Sequence, residues 1–131
     1  MTRFVLSGQL VTGKGEATFF TSAGWARAAF RELVDIDPWP GTLNLRLTET
    51  EHLATWVEIR SAPGLLLRAP DPDWCDGRCY PVLIAGNIGA AAVVPDVASY
   101  PEDQVEIIAA IRLRDALGVT DGHILTIEVT A

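Results

Sequence analysis

The clearest pattern in the chain is a strict alternation of apolar and polar residues after a proline-rich turn at residues 38–41. Leu43, Leu45 and Leu47 fall on one face of a predicted strand, because successive side chains of a strand point to opposite faces. Thr42 and Asn44 fall on the other face, roughly 6.6 Å apart along an ideal strand. Their side-chain oxygens can share one small ligand only if they lean together or if the strand start is irregular. Taken alone, the stretch is typical of an ordinary half-buried strand.

Other short apolar runs, separated by turn residues, predict further strands. They cover residues 3–11, 18–20, 64–68, 80–85, 89–94, 105–109 and 124–129. The dipeptides Gly86-Asn87 and Asp121-Gly122 between them are typical of tight turns. Many short strands with turns at regular spacing predict a small barrel, because closure of the sheet leaves no strand edge exposed.

Helical periodicity appears in three segments of the chain. They cover residues 23–34, 49–57 and 111–117. Ser22 is the predicted N-cap of the first helix, and Gly118 is predicted to end the third. In the second, Leu53, Trp56 and Val57 are predicted to face the core. The pattern as a whole predicts a mainly β fold, a small barrel with two or three short helices.

The composition is that of a soluble globular protein: 131 residues, 49% of them hydrophobic and 21% charged, with a net charge of −7. This length suits a single domain spanning residues 1–131. No apolar run approaches the ~20 residues of a membrane helix, and the N-terminus lacks the apolar core of a signal peptide. A cytoplasmic location without membrane contact is therefore expected. The acidic charge disfavours binding to long nucleic acids, although a local basic pocket can still hold one nucleotide. No protein partner is evident.

The two cysteines do not form a recognisable metal motif. Cys75 and Cys79 lack the second ligand pair of a zinc site, and neither His52 nor His123 is spaced to supply it. Because cytosolic proteins rarely keep disulfides, both cysteines are expected to be free thiols.

Two further features could carry chemistry. Lys14 stands between Gly13 and Gly15, and the backbone N–H groups of such a loop can surround an anion. The same pattern more often turns a hairpin, and it lacks the ending of a P-loop. Glu106 is the only charge in an apolar predicted strand, so it either faces water at a strand edge or accepts a hydrogen bond from a substrate hydroxyl.

Taken in order, the motifs of the chain resemble those of the archaeal-type CTP-dependent riboflavin kinases. They are Gly13-x-Gly15-Glu16, Phe19-Phe20, Pro40-Gly41-Thr42-Leu43-Asn44, Cys79-Tyr80-Pro81-Val82, Tyr100-Pro101, Val105-Glu106-Ile107-Ile108-Ala109 with Leu113-Arg114, and Asp121-Gly122. Their order and spacing hold across nearly the whole chain. The resemblance implies a six-stranded cradle-loop barrel, in agreement with the barrel that the pattern predicts.

The resemblance also implies a reaction and a set of site residues. In it, CTP and riboflavin give CDP and FMN with the help of Mg²⁺. By resemblance the nucleotide is bound by Gly13, Lys14, Gly15, Glu16, Ala17 and Thr18, and again by Ile111, Arg112, Leu113 and Arg114. The magnesium is bound by Thr42 and Asn44. The flavin is contacted at Ala98 and by Glu106, which is also the candidate catalytic base.

Three positions depart from the family pattern. Ala17 replaces the last glycine of the loop, Ala98 replaces a threonine that touches the flavin, and Ala110 replaces a proline. Alanine would be strained at position 17 if the backbone there needed a positive φ. These departures leave open a related kinase with another small-molecule acceptor, or a non-catalytic flavin- or nucleotide-binding module. A structural or DNA-binding barrel of the swapped-hairpin type is a third alternative, which the acidic charge disfavours.

Overall fold

A computed structural model describes residues 1–13 and 17–131 of the chain. In this part of the chain the strands are β1 (Arg3–Val11), β2 (Leu43–Arg46), β3 (Leu65–Leu67), β4 (Gly77–Ile84), β5 (Ile88–Pro95), β6 (Gln104–Ile108) and β7 (Ile124–Thr130). The helices are a 3-10 helix (Thr18–Thr21), α1 (Gly24–Val34), α2 (Thr50–Ser61) and α3 (Leu113–Leu117).

Six of these strands close into an antiparallel barrel in the order β1, β2, β6, β5, β4, β7 and back to β1. Strand β4 makes the closure possible because its two halves have different partners on one edge. Its second half pairs with β7, where Val82 lies opposite Val129, and its first half pairs with β3 outside the barrel, where Cys79 lies opposite Leu65. The predicted fold class, a mainly β six-stranded barrel with short helices, is confirmed.

The alternation in β2 sorts its residues between the two sides of the barrel wall. Leu43, Leu45 and Leu47 are buried in the barrel interior, as predicted. Asn44 therefore points to the outer side of the wall, directly opposite Glu106 of the neighbouring strand β6. This register brings two polar residues of the predicted site together.

A second apolar cluster covers the outer side of the wall. It contains Ala17, Phe20, Ala26, Phe30, Ile36, Leu67, Cys79, Ala91, Val93 and Ile108. Phe20 comes from the 3-10 helix, Phe30 from α1 and Ile108 from β6, two residues after Glu106. Because this layer lies over the sheet, a residue on the outer side of β6 is buried rather than exposed to water.

Two local predictions before α1 are wrong. Residues 18–20 form part of a 3-10 helix instead of a strand, and the Thr21 hydroxyl donates a hydrogen bond to the Thr18 carbonyl (2.7 Å). Ala23, not Ser22, is the N-cap of α1, because the Ser22 hydroxyl donates to the Phe19 carbonyl (3.2 Å) and so belongs to the preceding turn.

The second and third helices differ from prediction mainly in their bounds. Helix α2 continues one turn beyond residue 57, and its buried face carries Trp56 and Ile59. Val57 is 57% exposed, so its predicted core position is wrong. Helix α3 begins at Leu113 rather than residue 111, and Gly118 ends it with φ = 63°, as predicted.

An ion-pair clamp ties α1 to the segment before the proline-rich turn. Arg27 and Arg31, one helical turn apart, each donate a hydrogen bond of 2.9 Å to a different oxygen of Asp37. Both hydrogen bonds lower the pKa of the Asp37 carboxyl below its usual value, the one from Arg27 most and the one from Arg31 next. The position of the turn at residues 38–41 is therefore linked to that of α1.

Both cysteines are free thiols, as expected. Cys79 is buried beneath α1, and burial raises the pKa of its thiol to about 12. No helix in residues 1–13 and 17–131 is long and apolar enough to cross a membrane.

Candidate functional site

A buried carboxylate lies at the centre of the site. Glu106 has no exposed surface, and its Oε1 accepts a hydrogen bond of 2.8 Å from the Thr42 hydroxyl. Its Oε2 accepts one of 2.8 Å from the Tyr100 hydroxyl, and the Ala17 N–H lies 3.2 and 3.0 Å from the two carboxylate oxygens. The alternative that Glu106 faces water at a strand edge is therefore wrong. Its carboxylate joins three segments that are distant in the sequence.

Asn44 lies beside this carboxylate and is only partly satisfied. Its Nδ2 donates a hydrogen bond of 3.3 Å to the Thr42 carbonyl, whereas its Oδ1 is buried without a hydrogen-bond partner among the described residues. A buried polar atom without a partner costs roughly 1–3 kcal/mol, so native structures seldom keep one without a reason. An amide oxygen is also a typical ligand of hard divalent cations. Asn44 Oδ1 therefore fits the role of a metal ligand.

The Thr42 hydroxyl is oriented in a way that suits the same role. Its single proton is donated to Glu106, which leaves the lone pairs of Oγ1 available to a cation. A carboxylate that holds a ligand group in this way raises its basicity and fixes its direction. Thr42 and Asn44 are both neutral, so a cation between them needs additional negative charge from its other ligands.

Gly13 lies directly against the Asn44 amide. A Cβ atom built on Gly13 would lie 2.4 Å from both Cγ and Oδ1 of Asn44. The absence of a side chain at position 13 is therefore what allows the end of β1 to approach the predicted metal ligand. This contact explains on steric grounds why the first residue of the loop is a glycine, without any need for an unusual backbone angle.

We expect Gly13→Ala to reduce the rate of the metal-dependent reaction that the family resemblance implies by about 10-fold or more, since supporting groups around a metal ligand typically contribute 10- to 100-fold. The new methyl group must displace the Asn44 amide from its position. Initial rates measured against metal concentration test this expectation. Gly89→Ala is the matched control, because a Cβ at Gly89 meets no atom within 4 Å. Equal rates in both variants would contradict the role of Gly13.

A cavity of about 230 Å³ opens beside the polar cluster, and we call it the turn cavity. It is lined by residues 39–43, Ile107, Ala109 and residues 111–114. Thr42 belongs both to this cavity and to the hydrogen-bonded group around Glu106. The structure therefore brings the predicted metal ligand Thr42 together with the second predicted nucleotide segment, Ile111, Arg112, Leu113 and Arg114.

Arg114 is held in place by the turn before β7. It donates a hydrogen bond of 2.6 Å to Asp121, which also accepts one of 2.7 Å from the Thr12 hydroxyl. The Thr12 bond and the Arg114 bond lower the pKa of Asp121 below its usual value. The bridge therefore stays ionised through the neutral and mildly acidic range, and it connects the residue before Gly13 with the segment after β6.

Ala98 lines a different and larger cavity, which we call the Ala98 cavity. Its volume is about 520 Å³, and its lining includes Arg60, Arg78 and Tyr100. Tyr100 connects the two regions, because it lines the Ala98 cavity while its hydroxyl donates to Glu106. Tyr100 was not among the site residues predicted from the sequence. The motif Tyr100-Pro101 was a signal, since a tyrosine hydroxyl needs a hydrogen-bond partner when it is buried.

The predicted loop residues divide into two groups. Lys14, Gly15 and Glu16 lie outside the described residues. Ala17 has φ = −95°, so alanine is not strained at this position, and its N–H is bound to Glu106. Thr18 begins the 3-10 helix. The end of the loop is thus anchored to the centre of the site through a backbone N–H that any residue except proline could supply.

These features define a barrel domain with two cavities beside a buried polar cluster, an arrangement that suits small polar ligands. The family model CTP-dep_RFKase, described as Domain of unknown function DUF120, matches residues 10–129. The chain belongs to this CTP-dependent riboflavin kinase family, which confirms the resemblance seen in the motifs.

Curated relatives carry the name riboflavin kinase. The protein of Methanocella arvoryzae is 40% identical over 135 residues, which cover 96% of this chain and 56% of the relative. That of Methanosarcina barkeri is 36% identical over 134 residues, with 95% and 56% covered. That of Pyrobaculum arsenaticum is 32% identical over 130 residues, with 95% and 60% covered. The chain thus spans little more than half the length of these curated relatives.

Proposed function

We propose that this chain is a riboflavin kinase that transfers the γ-phosphate of CTP to riboflavin and forms FMN and CDP with Mg²⁺. The observation that carries the proposal is the buried Oδ1 of Asn44, which has no partner among the described residues and lies in the group around Thr42 and Glu106. The family match and the names of the relatives support the reaction.

The metal ligands proposed are Thr42 and Asn44. Mg²⁺ prefers oxygen ligands and keeps several waters, so two neutral protein oxygens suffice when phosphate oxygens complete the shell. Bound there, it would supply charge neutralisation on the β- and γ-phosphates. Because neither protein ligand is charged, we expect the metal to bind together with the nucleotide and weakly without it.

The nucleotide is proposed to lie between the Gly-rich loop and the turn cavity. Its proposed contacts are Gly13, Lys14, Gly15, Glu16, Ala17 and Thr18 on one side, and Ile111, Arg112, Leu113 and Arg114 on the other. Arg112 and Arg114 are each paired with an aspartate, Asp115 and Asp121, at 2.6 Å. These pairs fix the guanidinium groups near the cavity and leave their remaining N–H groups to donate hydrogen bonds to phosphate oxygens.

In the proposed reaction the 5′-hydroxyl oxygen of riboflavin forms a bond to the γ-phosphorus of CTP. The bond from that phosphorus to the β–γ bridging oxygen breaks, and CDP leaves with the electron pair. The hydroxyl proton passes to the Glu106 carboxylate, which exchanges one of its present donors for the substrate hydroxyl. Most of the acceleration would come from positioning and charge stabilisation, as in other phosphoryl transfers.

The acceptor is proposed to approach from the Ala98 cavity, because Tyr100 leads from that cavity to Glu106. Ala98 has no hydroxyl, so this wall of the cavity cannot make the hydrogen bond that a threonine would provide. A kinase with another small-molecule acceptor is therefore the second candidate.

The test is product formation by the purified chain. Riboflavin, Mg²⁺ and either CTP or ATP are incubated with the protein, and the flavins are separated by chromatography. We expect FMN with CTP. If FMN formed with ATP but not with CTP, riboflavin phosphorylation would stand and CTP as the phosphate donor would be wrong. If no FMN forms with either nucleotide while the protein is folded, the riboflavin kinase proposal is wrong, and consumption of CTP with other small alcohols would favour the second candidate.

A further inference from the structure

Trp39 is a large aromatic residue that stays half exposed at the mouth of the turn cavity. Its exposed fraction is 49%, although most of the other apolar residues near it are buried. Its backbone is held firmly, because it lies between Pro38 and Pro40 and its N–H donates a hydrogen bond of 2.7 Å to the Ala109 carbonyl. An indole held on a stiff turn and left open to water is a surface ready to contact a ligand.

The turn cavity has an apolar part and a polar part. Ile111, which is 46% exposed, lines it together with Trp39. Arg112 and Thr42 line it as well, and Thr42 is the point at which the cavity reaches the polar cluster. A nucleotide has the same division, since it carries a flat base with two π-faces at one end and phosphates at the other.

The size of the cavity limits what it can hold. Its volume of about 230 Å³ is below the roughly 300–1,000 Å³ of cavities that enclose a drug-sized ligand. It can therefore take one end of a nucleotide while the other end extends along the barrel. Because Thr42 marks the direction of the metal and the phosphates, the end left for Trp39 is the base.

We propose that Trp39 is the stacking surface for the base of the nucleotide bound at this site. The inference rests on the proposed function and adds to it a positioning residue. Stacking on an aromatic ring works for every base, because each base has a π-face. Trp39 therefore contributes affinity and orientation, and the choice between cytosine and adenine lies with other groups.

Another exposed tryptophan provides a matched control. Trp74 is 53% exposed and lines a separate cavity with Phe19, Trp25 and Cys75. None of these four residues lines the turn cavity. Removal of either indole exposes similar surface and changes no charge, so a difference between the two variants reports on the ligand rather than on general stability.

The test is direct binding without riboflavin. Calorimetric titration with CTP and Mg²⁺ is compared for the native chain, Trp39→Ala, Trp39→Phe and Trp74→Ala, and is repeated with tripolyphosphate, which has no base. We expect Trp39→Ala to weaken CTP binding by roughly 10-fold or more, as loss of a stacked base does. Trp39→Phe should stay within about 3-fold, because phenylalanine keeps a π-face. Trp74→Ala and all tripolyphosphate titrations should be unchanged.

Unchanged CTP binding by Trp39→Ala would overturn the inference, and so would an equal loss of tripolyphosphate binding. The outcome is separate from that of the kinase assay. If the native chain forms no FMN but binds CTP with the expected dependence on Trp39, the proposed function fails and the stacking role stands. If FMN forms and Trp39→Ala binds CTP normally, the stacking role fails and the function stands.

Discussion

Replacement of Asn44 by alanine is expected to lower FMN formation at least ~100-fold, because it removes a proposed metal ligand rather than a group that supports one. The barrel should remain folded. Among residues 1–13 and 17–131, the only hydrogen bond lost is the long one from Nδ2 to the Thr42 carbonyl (3.3 Å), and the variant no longer buries an amide oxygen that has no partner there. The thermal midpoint of unfolding should therefore shift little, while the rate of FMN formation at saturating riboflavin and CTP falls sharply.

A control must show that the loss of activity comes from position 44 and not from replacing any asparagine by alanine. Asn87→Ala removes an asparagine from the exposed turn between β4 and β5 and should leave both the rate and the thermal midpoint unchanged. A second variant, Asn44→Asp, keeps an oxygen at the proposed ligand position and should recover part of the metal dependence. If Asn44→Ala retained full Mg²⁺-dependent activity, the metal site would have to be sought elsewhere.

The second large effect is expected for Glu106→Gln, which should impair turnover ~100-fold and also destabilise the fold by about 1–3 kcal/mol. Glutamine replaces one acceptor oxygen with an N–H₂ group. The hydroxyls of Thr42 and Tyr100 can rotate to accept from it, whereas the Ala17 N–H can only donate. One buried contact is therefore lost or distorted, together with the negative charge that orients Thr42.

Denaturant unfolding and single-turnover kinetics, carried out on the same samples, test both parts of this expectation. Glu58→Gln is the matched control, since Glu58 is exposed on α2 and lies outside both cavities. Tyr100→Phe removes a single donor and should lower the rate less than Glu106→Gln does. A stable and fully active Glu106→Gln variant would show that the carboxylate has no role beyond hydrogen bonding that an amide can replace.

Much of the barrel wall could be predicted from local pattern. The alternation in β2 correctly assigned Leu43 and Leu45 to the interior and Asn44 to the other face, because successive side chains of a strand point to opposite faces. It did not predict that the outer face would be buried as well, since the covering layer comes from distant segments. The 3-10 helix could not be predicted, since a run such as Thr18-Phe19-Phe20 is too short to have a period. Val57 was misplaced because the predicted helix ended at residue 57 and so left out Ile59. In the structure the buried face of α2 runs through Trp56 and Ile59, and Val57 lies outside it.

The hydrogen bonds within the site were harder to predict from the sequence. The Ala17 N–H meets the Glu106 carboxylate across 89 residues of sequence, and this contact depends on the layer that α1 and the 3-10 helix place over the barrel. Family resemblance selected Thr42, Asn44 and Glu106, but gave no reason for Tyr100. The role of Tyr100 can be recognised only in the folded structure, because its hydrogen-bond partner is determined by tertiary structure rather than by spacing along the sequence.

Tyr100 has a thermodynamic consequence for the two cavities. It lines one of them and shares the Glu106 carboxylate with Thr42, which lines the other. A ligand that shifts the tyrosine hydroxyl changes the strength with which Glu106 holds Thr42, so the affinities of the two cavities are coupled. Such coupling is reciprocal: the factor by which an occupant of the first cavity changes affinity at the second equals the factor in the opposite direction. The proposed substrates should therefore change each other's affinity by the same factor whichever is added first, and the phenol of Tyr100 would carry this coupling.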